Sequence, residues 1–352
     1  MCSYRYAILV LLTSVVEASV YSISESHSGQ GFFSGFAFNT NEINSVQYVN
    51  QSYTPLLASV NSASNAVIQV DSENITTPAS RASTRLTSVN TYNVGTLWVF
   101  DAVRLPFGCS VAPGFGTVAD DETNGEVSVL AGINRMSSNE MALHTKSGCS
   151  PKKVSVASSK SVINSKDCST SVIGCSVDQN DTLSFGDGFN TNGGGAWVMA
   201  LEDTGVSIWF YNRSSVPSSF GVNTSSIDTS ALGTPTVSWS QDGCSPINSF
   251  ISQQRTYIDI SLCGDRAGNS TILGQTGCTV PQTPDTCYSS YILNSANYQD
   301  MFFEISYVNV FTLSANQTSA GVTGSSHGSR ELSSNKGWYS LLGMGAALLW
   351  ML

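Results

Sequence analysis

The chain has 352 residues, of which 41% are hydrophobic and only 11% charged, with a formal net charge of −10. That length suits one large all-β domain with tails, or two ordinary domains, and it supplies enough apolar residues for a packed core. The surface polarity falls on Ser, Thr, Asn and Gln, and no basic run exists to neutralise phosphates, which excludes nucleic acid as a partner.

Residues 1–18 read as a secretory signal. Arg5 gives the positive start, Ala7 to Val16 the short apolar stretch, and Val16-Glu17-Ala18 the small-residue cleavage site before Ser19. The apolar run is too short to span a bilayer. One folded unit then extends over residues 29–311. Within it, short alternations of apolar and polar residues recur between turn signals: Val67 to Val70, Thr96 to Phe100, Trp197 to Leu201, Val206 to Phe210, Tyr257 to Leu262 and Ile305 to Phe311. Their period of two and their β-branched and aromatic content predict strands. Glu202-Asp203-Thr204-Gly205 joins two of them at hairpin length. Helical periodicity is almost absent, so the expected fold is an antiparallel jelly-roll β-sandwich. Trp98, Trp197 and Trp209 sit on predicted strands and are expected in the core rather than on a binding surface. Gly193 to Gly195 precede a strand and lack a following Lys-Ser/Thr, so they form no phosphate loop.

Residues 312–336 read as a Ser/Thr-rich stalk, too polar to bury a core. Residues 337–352 (GWYSLLGMGAALLWML) form an apolar tail. Small residues at Gly324, Ser325 and Ser326, a polar spacer and that tail together predict a glycosylphosphatidylinositol anchor attached near Gly324–Ser326. A short membrane-spanning tail is the alternative. Removal of Cys2 with the signal leaves Cys109, Cys149, Cys168, Cys175, Cys244, Cys263, Cys278 and Cys287, an even set that predicts disulfides, with Cys168 and Cys175 closing a small loop. No His/Cys cluster has zinc spacing, and neither a metal nor a cofactor is expected. Seven Asn-x-Ser/Thr sequons, at Asn50, Asn74, Asn180, Asn212, Asn223, Asn269 and Asn316, predict a secreted surface glycoprotein.

Residues 92–149 are the most informative. Asn124-Gly125-Glu126-Val127-Ser128-Val129-Leu130-Ala131-Gly132-Ile133-Asn134 is followed by Asn139-Glu140-Met141-Ala142-Leu143-His144-Thr145. This stretch resembles the fungal laminarinase-like branch of glycoside hydrolase family 16, whose core reads NGE-I-D-I-I-E-G-V-N, then N-x-M-T-L-H-T. The likeness extends to Gly31 to Phe36, Arg81 to Leu86, Gly188-Phe189-Asn190, Val206 to Phe210, Cys263-Gly264-Asp265 and Phe303-Glu304-Ile305. The resemblance implies a concanavalin A-like jelly roll, a cell-surface role, and a β-glucan or related wall polysaccharide as partner.

A retaining glycosidase needs two carboxyl groups about 5 Å apart, one nucleophile and one acid/base. In the family these are the first and last glutamates of E-x-D-x-x-E, brought to one face by alternation and a bulge. Glu126 stands at the nucleophile position, Ser128 at the position of the tuning Asp, and Ala131 at that of the acid/base. Two further tryptophans of the family's sugar platform correspond to Ala112 and Gly116, and a third to Arg266. The resemblance places His144 and Asn134 among positions that contact sugar, with backbone-satisfied and strand-ending roles as alternatives. Asp259 and Asp265 are carboxylates whose spacing does not bring them to Ala131. The expected protein is thus a β-glucanase relative with impaired hydrolysis, acting in binding or structure at the wall. The alternative is a surviving retaining endo-β-1,3(4)-glucanase or transglycosylase that uses Glu126 with a proton donor from elsewhere.

Overall fold

The computed structural model describes residues 19–314, apart from 44–45, 51, 53–56, 74–79 and 170–172. The signal segment, the apolar tail and nearly all of the stalk lie outside the described residues. Two antiparallel sheets stack face to face, as the alternating sequence requires. In the larger, the strands run in the order Val154–Val156, Val237–Ser240, Gly205–Asn212, Gly195–Glu202, Thr96–Arg104, Phe302–Leu313, Val20–Ser28 and Ser226–Asp228. In the smaller, the order is Val162–Ile163, Cys175–Asp178, Glu140–His144, Glu126–Leu130, Val111–Ala119, Gln254–Leu262, Arg85–Ser88 and Phe36–Phe38. Every strand read from the sequence is present, and the hairpin closes on the pair Glu202 and Gly205.

The inner faces meet in one apolar layer that includes Trp98, Phe100, Trp197, Phe115, Val127, Val129, Met141 and Ile258. Phe100 and Phe115, one from each sheet, stack with ring centroids 4.0 Å apart. The Trp98 indole N–H donates to Thr256 Oγ1 at 2.9 Å, so this large ring is buried without an orphaned donor. Trp209 packs instead on the outer face of the larger sheet with Tyr21, Leu97 and Phe311. All three tryptophans are core residues, as expected.

Arg81 is fully buried and donates to the carbonyls of Asp71, Glu73 and Ile292, tying three separate segments together. Four disulfides close the fold: Cys109–Cys278, Cys149–Cys244, Cys168–Cys175 and Cys263–Cys287. Two of them pin residues 264–292, where the short helices Gly264–Ala267 and Ser270–Gln275 interrupt the all-β pattern. These helices carry too few turns to give a periodic signal in the sequence. The sequon residues Asn50, Asn180, Asn223 and Asn269 are exposed and Asn212 is partly so, which suits glycan attachment.

Candidate active site

The outward face of the smaller sheet carries the site. Asp121 caps the short turn Glu122–Asn124, its carboxylate accepting from the Thr123 N–H at 3.1 Å, and Gly125, at φ 122°, turns the chain into the strand Glu126–Leu130. Val127 points into the core, so Glu126 and Ser128 face outward. Ser128 lies between Gly116 and Ala142, and Glu126 between Val118 and His144. The register then shifts, because Phe115 pairs with Leu130 rather than Val129. That extra residue is the bulge which returns Ala131, half-buried, to the face of Glu126.

The Glu126 carboxylate is held in place by hydroxyls. Its Oε1 accepts from Ser128 Oγ at 2.7 Å and from Tyr257 OH at 2.8 Å. Burial, and then the negative charge of Glu126, pushes the Tyr257 phenol well above its ordinary range, so it remains a donor. Two residues further along the same strand, Asp259 is buried with its Oδ2 taking Arg85 Nη1 at 3.2 Å and Tyr48 OH at 3.3 Å. Burial raises the Asp259 carboxyl to about 6; Arg85 opposes this and Glu126 adds to it. Arg85 also reaches Glu122 Oε1 at 3.0 Å and lies over the Tyr257 ring, 5.6 Å from its centroid.

The positions that the resemblance assigns to a sugar platform, Ala112, Gly116 and Arg266, carry no aromatic ring. A Cβ added to Gly116 would fall on the Val127 carbonyl oxygen and 3.1 Å from Ser128 Cα. No larger side chain fits there unless the strand moves. Arg266 donates to Glu140 Oε2 at 2.9 Å, forming an ion pair where a stacking ring is absent. Glu140 sits on the strand beside Ala131, whose N–H donates to the Glu140 carbonyl at 3.1 Å. Burial raises the Glu140 carboxyl, and Arg266 counteracts it.

The other sequence candidates separate here. His144 is directly opposite Glu126 and half-buried, so it flanks the site. Asn134 is fully buried, and its Oδ1 accepts from the Ser110 N–H at 2.7 Å; its geometry is that of a strand-ending residue at φ 53°. Asp265 lies exposed in the first turn of the helix Gly264–Ala267. Asp259 pairs with Gly114 on the strand Val111–Ala119, whose Phe115 pairs with Leu130, so the strand between them separates Asp259 from Ala131. Tyr257 and Arg85 were not singled out from the sequence. The polar alternation Tyr257, Asp259, Ser261 against Ile258, Ile260, Leu262 is the signal that marks their face.

Residues 33–311 match the model of the "XgeA-like, catalytic GH16 domain". The chain belongs to glycoside hydrolase family 16. An endo-1,3(4)-β-glucanase of Emericella nidulans is 32% identical over 84% of this chain and 48% of its own length. A probable glycosidase of Schizosaccharomyces pombe is 29% identical, covering 84% of this chain and 70% of that protein. The chain thus spans about half the length of the endo-1,3(4)-β-glucanase it matches. Laminarinase 16A of Phanerochaete chrysosporium, solved with β-glucans in donor and acceptor sites, superposes with a TM-score of 0.75 at 25% identity over 84% of this chain and all of that one. An elongating family 16 β-1,3-glucosyltransferase gives 0.73 at 28% identity over 83% and 100%.

Proposed function

We propose that this family 16 domain recognises β-1,3-glucan chains over Glu126 and turns them over far more slowly than an intact glucanase, serving outside the cell as a wall-associated binding protein. The observation that carries this reading is the bulge that returns Ala131 to the face of Glu126, at the position to which the resemblance assigns the second carboxyl of a retaining pair. General acid–base assistance is worth ~10²–10⁴ in rate, and a sugar alkoxide is a poor leaving group without it. Ser128 adds no second charge beside Glu126, which suits the loss of the tuned pair. The solved relatives that hold β-glucans or elongate β-1,3-glucan support this polymer class as the partner. Four disulfides support an oxidising, extracellular setting.

The reading is tested by sedimentation with insoluble β-1,3-glucan. The protein is expected to pellet well above an albumin control. Protein remaining wholly in the supernatant refutes the binding role.

A further inference from the structure

We propose that Asp259 is a relocated acid/base partner of Glu126, so that the site keeps a slow glycosyl transfer chemistry. The inference rests on the reading that a β-glucan occupies this face. Three geometric facts carry it. Asp259 pairs with Gly114, one residue before Phe115, and Phe115 pairs with Leu130, the residue before Ala131. Gly114 has no side chain, and the Asp259 carboxyl lies over it: a Cβ built there would overlap Asp259 Oδ1 and stand 2.9 Å from Tyr257 Cε2. The carboxyl therefore reaches toward the strand of Ala131 through the gap that glycine leaves. Finally, Arg85 and Tyr48 both take Oδ2, so Oδ1 is the oxygen turned to the gap.

The groups around Asp259 suit the cycle. Arg85, Tyr48, Tyr257, Glu126 and Glu122 face it, and the balance leaves the carboxyl titrating at about 6, where it is protonated in part at mildly acidic pH. In the first half, a Glu126 oxygen attacks the anomeric carbon. The bond to the leaving glucosyl oxygen breaks with its electron pair on that oxygen, which takes the Asp259 proton. Glu126 is then an uncharged ester, so the smaller part of the rise that its charge adds to burial is gone, and the Asp259 carboxylate acts as a base. In the second half, Asp259 takes a proton from water or a sugar hydroxyl as that oxygen attacks the anomeric carbon, and the ester bond to Glu126 breaks. Glu140, on the other side of Ala131, is the competing carboxyl, with Arg266 on its Oε2 as Arg85 is on Oδ2 of Asp259, and the Glu140→Gln variant separates the two.

The test uses the full chain and a 2,4-dinitrophenyl β-laminaribioside, whose leaving group departs without a proton. Asp259→Asn is expected to accumulate the glycosyl ester on Glu126, seen by intact mass and peptide mapping, with turnover down ~10²-fold. Azide, which needs no base, restores that turnover and yields a β-glycosyl azide. Wild type and Glu140→Gln give no azide product. Asp259→Ser carries the same test if the Asn variant does not fold. Turnover of the Asp259 variants equal to wild type overturns the proposal, as does azide product from Glu140→Gln alone. If no protein is labelled yet all still pellet with β-1,3-glucan, the acid/base role is wrong and glucan recognition stands. If pelleting fails too, the underlying reading is wrong.

Discussion

Gly114→Ala is the smallest change that probes the rebuilt floor of the site. The new methyl would sit closer than 3.0 Å to both Asp259 Oδ1 and Tyr257 Cε2, side chains that are 6% exposed and tied into hydrogen bonds. Neither can swing into solvent without loosening the contacts to Arg85 or Glu126. Overpacking of this kind costs ~1–3 kcal/mol, while the entropy gained by removing a glycine returns ~0.4–1 kcal/mol. The net loss is therefore ~1–2 kcal/mol, or roughly 2–6 °C in Tm for a domain of this size. Urea unfolding of three variants orders the effect. Gly116→Ala should lose the most, because its methyl meets the backbone of Val127 and Ser128. Gly221→Ala, whose methyl meets nothing within 4 Å, should be neutral or slightly stabilising. A Gly114→Ala protein as stable as wild type would show that Asp259 and Tyr257 do not occupy that space.

The raised Asp259 also sets a pH signature. Its folded pKa of about 6 lies above its ordinary 3.8, so the folded state holds the proton more tightly. The resulting stability is fully present below about pH 4 and is lost as pH rises through about 6, by up to ~3 kcal/mol. Urea unfolding at pH 4 and 7 should show this fall in wild type and a smaller one in Asp259→Asn; equal slopes refute it. Ser128→Asp with Ala131→Glu should raise laminarin turnover less than about tenfold, because Gly116 and Arg266 still lack the stacking surface; a hundredfold gain contradicts that reasoning. Asp101→Ala should cost ~2–4 kcal/mol in chemical denaturation, since Arg213 holds both its carboxylate oxygens at 2.8 and 2.9 Å while remaining a third exposed. An unchanged midpoint would show that the pair contributes nothing.

Much of this was legible in the residues. The period of two located six strands, among them Thr96–Arg104, Gly195–Glu202 and Gln254–Leu262, and the resemblance, with its bulge, implied that Ala131 shares the face of Glu126 and Ser128. What stayed hidden depended on register between strands far apart in sequence. Asp259 follows Ala131 by over a hundred residues, and only the pairing of both strands with Val111–Ala119 brings their strands to the two sides of one neighbour. The gap at Gly114 is likewise a property of two neighbouring strands at once. Asn134 takes the strand-ending role that its sequence position also offered: it is fully buried, with a left-handed backbone and its amide oxygen on the Ser110 N–H. The Arg266–Glu140 pair joins a helix turn to a strand, and no local pattern announces such a contact.

Release of oligosaccharides from laminarin tests the central claim most directly, with Glu126→Gln as the blank and Phanerochaete laminarinase 16A as the reference. The account expects products that depend on Glu126 but form ~10²–10⁴-fold more slowly than with the reference enzyme. A rate within tenfold of that enzyme would contradict it, because a methyl at Ala131 would then have cost the site nothing.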